Sequence, residues 1–544
     1  MTQLTARTLP LTPEESPVLP PRTYPNRLAL LLAILIFAAL STWCSIKSVG
    51  FLEADAMTHY MFARFSFREW SYFVNVWGRP LCTAVYAIPA NFAGVHGVRA
   101  TSLAMAIAAG LVCYRIARNQ KSRMPAIAAI CLFAQPLFFA HSFSELTEIP
   151  FALVAICAFW AYQAKNFLAM ALLASLSVTG RPEGIGLLFL AALALIAHRR
   201  WYYLLLLPVP CIIWTFFGAL SWGHIKWAPY ADAWWSWLPR NWPYAAKSAY
   251  GAGAWYYFIG ILPIILSPMM FPFLFAGIAK LLDDWGIRRL ATRTTDPSAN
   301  SPLPSSPHPP TPLPLNDDPH LRRCALFLLA IPLAVLTVHT ILWTFGLMAS
   351  SGEPRYLLSV SPFWALVVAR GWEWTWERFR LPAPFLTAAL FATTPIFANR
   401  YYQVFPLRLY DGDLMGKAVG DWYKSTPGLE QDYPRVMATP PSVYYFLDLS
   451  QSDPNRGAAW GKDQVQKRTP GTILIWDPIF GQSNADRNLI VPKEELEGLG
   501  WQWIGNVVYG GDWCNIYLSP QTSSGKPTNP DQYRAPGNVT PTDE

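Results

Sequence analysis

Residues 47–64 read Lys47-Ser48-Val49-Gly50-Phe51-Leu52-Glu53-Ala54-Asp55-Ala56-Met57-Thr58-His59-Tyr60-Met61-Phe62-Ala63-Arg64. They follow an apolar run, 27–46, of about the 20 residues that cross a bilayer as a helix. The run is opened by Arg22 and Arg27 and lacks a small-x-small cleavage site, which predicts a retained first membrane helix. Two carboxylates therefore stand where the chain leaves the membrane, and polar groups gathered at such a boundary point to chemistry or binding there.

Outward from this stretch the chain stays apolar. Globular chains carry about 25% charged residues, whereas this chain carries 14% and is 53% hydrophobic over 544 residues. Apolar runs recur to about residue 398. In lipid every backbone group must be satisfied internally, so such runs cross as helices. The expected fold class is a polytopic α-helical membrane protein of about 11–13 membrane helices, followed by a C-terminal extracytoplasmic α/β domain. The net charge of +8 resides in clusters between apolar runs, such as Arg115, Arg118, Lys121 and Arg123, then His198, Arg199 and Arg200. This is a cytoplasmic-loop pattern and not a nucleic-acid surface. The eight cysteines lie mostly within apolar runs and form no CxxC pair, so neither a disulfide framework nor a structural zinc site is expected.

Basic clusters orient the chain. Residues 1–26 form a Pro/Thr-rich tail expected to be disordered. Residues 27–400 form the membrane domain, with an external first loop at 47–80 and a Pro/Ser/Thr-rich cytoplasmic loop at 283–323 that cannot build a core. Residues 81–97 are predicted as an interfacial or re-entrant helix, 98–114 and 125–141 as helices. Alternation then puts 47–80, 142–148, 179–183, 222–254 and 346–356 on one face, together with everything after 400. Residues 401–520 mix strand-like runs at 443–447, 472–476 and 503–508 with helical stretches near 414–424 and 493–499, a small α/β pattern. A tail from 521 to 544 is expected to be disordered.

The candidates for chemistry lie on that one face. A carboxylate at Asp55 or Glu53 can act as general base if it reaches a hydroxyl; either is equally an ordinary loop acid or helix cap. Glu148 begins a helix, where the dipole favours an acid. Glu145 has no such explanation, and with Asp55 it could hold a sugar or a metal ion. Arg181, in Gly180-Arg181-Pro182-Glu183-Gly184, and Arg355, in Glu353-Pro354-Arg355-Tyr356, stand at the depth of lipid phosphates, which guanidinium groups bind bidentately. Snorkelling explains either one alone. The tryptophans of 222–254 form a membrane belt by default, or a stacking platform for sugar rings.

Taken in order, Glu53 to Arg64, Gly78-Arg79-Pro80-Leu81, Gly94-Val95-His96-Gly97-Val98-Arg99, Gly180 to Gly184 and Pro354-Arg355-Tyr356-Leu357-Leu358 resemble the GT-C superfamily of polytopic glycosyltransferases. That group includes protein O-mannosyltransferases and the lipid A aminoarabinose transferase. The resemblance covers about residues 27–400. It implies an inverting transferase in a bacterial inner membrane, with its site on the extracytoplasmic face. A polyprenyl-phosphate-linked sugar, mannose-like or other, would be the donor, and a protein, lipid or glycan hydroxyl the acceptor. Asp55 or Glu53 would be catalytic, with Asp55 favoured because it directly precedes the Ala-x-x-His stretch. Arg355, Arg181, His59, Glu145 and Arg79 would bind substrate. No cofactor is implied, and a divalent metal is not favoured. Membrane lipids are partners; nucleic acid is not. The alternatives are a transporter or flippase of lipid-linked sugars, and a non-catalytic membrane subunit. Transporters usually show inverted repeats and midplane broken helices, which the sequence lacks.

Overall fold

The computed structural model describes residues 26–221, 235, 237–241, 251–285, 319–348, 350–379, 383–402, 406–453, 455–458, 461–482, 485 and 490–539. The expected disordered tail before residue 26, residues 286–318 of the 283–323 loop and most of the Trp-rich loop 222–254 lie outside the described residues; 283–285 and 319–323, expected within the disordered loop, are helical.

The helices run in chain order α1 Asn26–Lys47, α2 Ala54–Phe65, α3 Pro80–Asn119, α4 Ala126–Phe133, α5 Pro136–His141, α6 Glu148–Gln163, α7 Phe167–Gly180, α8 Gly184–Ala197, α9 Val209–Ser221, α10 Trp237–Asn241, α11 Tyr257–Leu266, α12 Phe271–Trp285, α13 Pro319–Thr344, α14 Ser361–Phe379 and α15 Ala383–Tyr402. Four described stretches are long and apolar enough to cross a membrane: α1, α3, the 201–221 stretch ending in α9, and α13. The pair α11 and α12 qualifies together, bent by 105°, and α6, α7 and α8 are shorter apolar helices. Leu28, Leu31, Leu32 and Leu35 on α1 stay exposed, as expected of a lipid-facing stripe.

One boundary and one helix change here. The two helices expected at 81–97 and 98–114 are the two arms of the 40-residue α3, and the break between them falls at Gly94, with φ 58° and ψ −147°. A straight helix of that length would reach about 60 Å, twice the hydrocarbon thickness, and the left-handed turn that glycine tolerates divides it into two arms. The predicted helix 125–141 is likewise two short pieces, α4 and α5. Gln135 is extended at φ −75° and ψ 120°, as a residue before proline prefers.

Helices in lipid gain little from hydrophobic association and pack through small residues instead. A Cβ on Gly277 of α12 would collide with the Val367 carbonyl of α14, and one on Gly371 of α14 with the Phe273 carbonyl of α12.

The C-terminal part adds α16 Asp411–Ser425, α17 Leu429–Asp432, α18 Pro441–Leu447 and a five-stranded sheet. Its strands are β1 Arg435–Ala438, β2 Thr472–Trp476, β3 Gln502–Tyr509, β4 Asp512–Leu518 and β5 Gly537–Asn538, in the order β1-β2-β4-β3-β5. Pairs β1–β2 and β3–β5 are parallel; β2–β4 and β3–β4 are antiparallel. Strand alternation gives the sheet two apolar faces. Ile473 and Ile475 join the core that continues into the membrane helices, while Leu474 and Trp476 join a second cluster with Val465 and Trp501.

Residues 443–447, expected as a strand, are helical: Pro440 and Pro441 set up α18, with Pro441 at a first-turn position where proline suits a helix. The tail expected to be disordered from 521 is folded to residue 539, where β5 pairs with β3 and the Tyr533 hydroxyl donates to Asp432 Oδ2 at 2.7 Å.

The sheet domain docks on α2. Arg64 holds Asp448 through two bonds of 2.9 and 3.1 Å, the Tyr72 and Ser450 hydroxyls lie 2.8 Å apart, and the Tyr445 ring packs edge-on to Phe51 and Tyr60. Gly277→Ala or Gly371→Ala is expected to cost about 1–3 kcal/mol by overpacking and to lower the thermal midpoint in detergent. Gly260→Ala, with nothing within 4 Å of its added Cβ, should leave the midpoint unchanged. Equal midpoints for all three variants would show that α12 and α14 are not in close contact.

Candidate active site

The site assembles where α1 gives way to α2, at the end of the helix bundle that carries the sheet domain. Glu53 is extended, at φ −155° and ψ 163°, and caps α2, whose first turn bears Asp55. Across from them a 3-10 turn, Pro354–Val360, leads into α14 and presents Arg355. Arg355 Nη1 lies 2.8 Å from Glu53 Oε2 and Nη2 2.5 Å from Asp55 Oδ2. Glu53 and Asp55 thus share one guanidinium, which lies 300 positions along the chain from Asp55.

A second arginine continues the cluster. Arg181, extended at the end of α7, donates from Nη1 to Glu148 Oε1 at 2.5 Å and Thr147 Oγ1 at 2.9 Å, and from Nη2 to Glu183 Oε1 at 3.0 Å. Glu148 Oε1 lies 3.9 Å from Arg355 Nε, so it links the two cations. Arg355 Nε is buried and makes no hydrogen bond among the described residues; Glu353 Oε2 is also 3.9 Å away. Arg79 caps α3 with φ 63° and ψ 104°, a left-handed conformation that is strained for a side chain with a Cβ. Its charge acts on both Arg181 and Asp55.

Burial and charge separate the two loop carboxyls. Burial pushes Glu53 up to about 8, reinforced by Glu353, Asp55 and Glu148, with Arg355 only partly opposing. Burial also raises Asp55, yet Arg355, His59 and Arg79 together hold it below the usual carboxylate range. At neutral pH Asp55 is therefore ionised and Glu53 neutral. His59, one turn along α2, is pushed down to about 4 by burial and is uncharged.

Beside this cluster opens a cavity of about 540 Å³ between α8, α13 and the 3-10 turn. Phe151, Leu187, Leu190, Ile331, Val335 and Leu342 line its length, and Arg181, Glu183, His339 and Tyr356 form its polar end. His339 stacks on Tyr356 with ring centres 4.9 Å apart and approaches Glu183 Oε1 at 3.4 Å.

Of the residues singled out from sequence, the structure brings together Glu53, Asp55, Arg355 and Arg181, with His59 and Arg79 within electrostatic reach. Glu145 stands apart from them: its carboxylate is fully buried against Arg99 at 2.7 Å and lies outside the Arg355–Arg181 cluster. Glu148, Thr147, Glu183, Glu353 and His339 are the further members of that cluster. The start of α6 accounts for an acid at 148 through the dipole, and that local reason hid its second role between two arginines. Pairing of the outer loops by side of the membrane was the signal that could have found it.

No protein-family model matches the chain, and no curated protein matches it. Solved structures do. ArnT from Cupriavidus metallidurans in the apo state aligns with a TM-score of 0.52 at 11% identity, covering 92% of this chain and 100% of that one. ArnT from Cupriavidus metallidurans bound to undecaprenyl phosphate aligns with a TM-score of 0.49 at 11% identity, covering 92% and 99%. The chain is an integral membrane protein that shares the fold of the apo ArnT structure.

Proposed function

We propose that this protein is an inverting glycosyltransferase of a bacterial inner membrane. It moves a sugar from a polyprenyl-phosphate donor to an acceptor hydroxyl at the sheet-domain end, the extracytoplasmic face. The observation that carries this is Asp55 paired with Arg355 beside the polar end of an apolar cavity. An isoprenoid chain needs such a cavity, its phosphate needs guanidinium donors, and an acceptor hydroxyl needs a base. ArnT, whose apo fold this chain shares, has a structure bound to undecaprenyl phosphate, and a lipid phosphate of that class is the donor group proposed here.

In the reaction Asp55 takes the proton of the acceptor hydroxyl. The oxygen forms a bond to the anomeric carbon from the face opposite the phosphate. The bond between that carbon and the phosphate oxygen breaks, and the electron pair leaves on the polyprenyl phosphate. The charge that develops there is met by Arg355, whose Nε has a proton to donate, and by Arg181. Glu53, neutral below about pH 8, stands beside Asp55 without adding negative charge to a site that must admit a phosphate. Arginines carry the countercharge, so transfer is expected to continue in the presence of a chelator.

Purified protein with a radiolabelled polyprenyl-phosphate sugar tests this. Asp55→Asn should lose about 10²–10⁴-fold in transfer, the range for a positioned general base, while remaining folded and membrane-inserted. Arg355→Ala should weaken donor use as well as turnover. Wild-type transfer by Asp55→Asn would remove it as the base, and donor recovered with its sugar–phosphate bond intact would favour a flippase.

The two carboxyls also set the pH profile. Asp55 sits low, so the acid limb should lie below the usual carboxylate range. Glu53 becomes charged as pH rises through about 8, so transfer should fall above that pH. In Glu53→Gln the alkaline fall should disappear; an unchanged fall in that variant would assign it to another group.

A further inference from the structure

Asp55 is useful as a base only if the segment leading into α2 is fixed, and one buried side chain binds two carbonyls of that segment and a third at the end of α1. Arg99 projects from the second arm of α3 and is 1% exposed. Its Nη1 donates to the Ser48 carbonyl at 2.6 Å and to the Ser45 carbonyl at 3.3 Å, and its Nη2 to the Gly50 carbonyl at 2.5 Å. Its Nε donates to Glu145 Oε1 at 2.7 Å, and its guanidinium carbon lies 5.9 Å from the centre of the Phe51 ring. These are the carbonyls of the end of α1 and of the turn that leads to Glu53 and Asp55.

The same pair reaches the other wall of the site. Glu145 stands three residues before Glu148 and two before Thr147, the two groups that Arg181 holds. From the sheet domain, Leu407 completes the grip: Gly50 N–H donates to its carbonyl at 3.0 Å, and its own N–H donates to Ser48 Oγ at 3.0 Å.

We propose that Arg99, braced by Glu145, is the positioning residue that fixes Asp55 and Glu148 relative to each other. A planar guanidinium can serve three carbonyls and a carboxylate at once. A lysine ammonium is a single point with three donors and cannot span them. Arg99 is not among the residues that line the cavity, and it acts through the backbone of residues 45–50. The kinetic consequence rests on the sugar-transfer function proposed above; the mechanical one does not.

The test uses the purified full chain and two variants, Arg99→Lys and Glu145→Gln, with a polyprenyl-phosphate sugar as donor. In Arg99→Lys, kcat should fall about 100-fold, the usual consequence of misplacing a reacting group by about 1 Å. The KM for donor should change by less than about threefold, since the cavity and its polar end are untouched. Hydrogen exchange should quicken at residues 48–56 and 145–148 while α1, α13 and the sheet keep wild-type protection. Glu145→Gln keeps an acceptor oxygen for Nε and should show the same pattern in milder form. Wild-type kcat in Arg99→Lys, or exchange that quickens throughout the helices in both variants, would overturn the proposal. A wild-type protein that transfers no sugar would remove the function proposed above; exchange confined to those two segments would then still support the brace, and unchanged exchange there would overturn it.

Discussion

Arg355 holds Glu53 at 2.8 Å and Asp55 at 2.5 Å, and the rest of the site depends on that sharing. A buried carboxylate is costly unless a cation and hydrogen bonds meet it. One guanidinium with two neighbouring carboxyls cannot favour both ions equally, so burial leaves Glu53 protonated while the closer pairing keeps Asp55 charged. The same arginine reaches toward Glu148, which in turn is bound by Arg181. Four segments far apart in sequence are thereby locked together: the entry to α2, the start of α6, the end of α7 and the turn before α14.

Position follows from the scaffold around this lock. The core that packs α2 against α3 continues without a break into one face of the sheet, through Phe51, Tyr60 and Val443. Asp55 is consequently held from the membrane side by Arg355 and, through the backbone before it, from the sheet side by Leu407. The apolar cavity ends at Arg181, Glu183, His339 and Tyr356, one carboxylate away from Arg355. A lipid-borne phosphate entering along that cavity meets the arginines without leaving the apolar environment its chain requires.

Much of this was legible because sidedness is written in simple signals. Basic clusters placed the segments bearing Asp55, Arg181 and Arg355 on one face before any coordinates, and each lies in a short motif at the end of an apolar run. What could not be read was which acids belonged together. Glu145 lies in the loop before α6 and Glu148 is that helix's first residue, and the loop's path sends Glu145 to Arg99 while Glu148 meets Arg181 and Arg355. Elsewhere local pattern competed with context. Val443 to Leu447 is β-branched and aromatic enough for a strand, yet the prolines before it start a helix. The polar, Pro-rich end of the chain lacks a core of its own, but Tyr533 is buried against Tyr433 and β5 extends the sheet. Tertiary packing overrode composition in both places.

The most direct measurement is an experimental structure of the protein with a bound polyprenyl phosphate. The phosphate should sit within hydrogen-bond distance of Arg355 or Arg181, with the isoprenoid chain along Phe151, Leu187 and Val335 and the Asp55 carboxylate facing the phosphate oxygen that carries the sugar. A phosphate bound away from both arginines, or a chain that leaves the cavity empty, would contradict a lipid-linked sugar transferase built on Asp55.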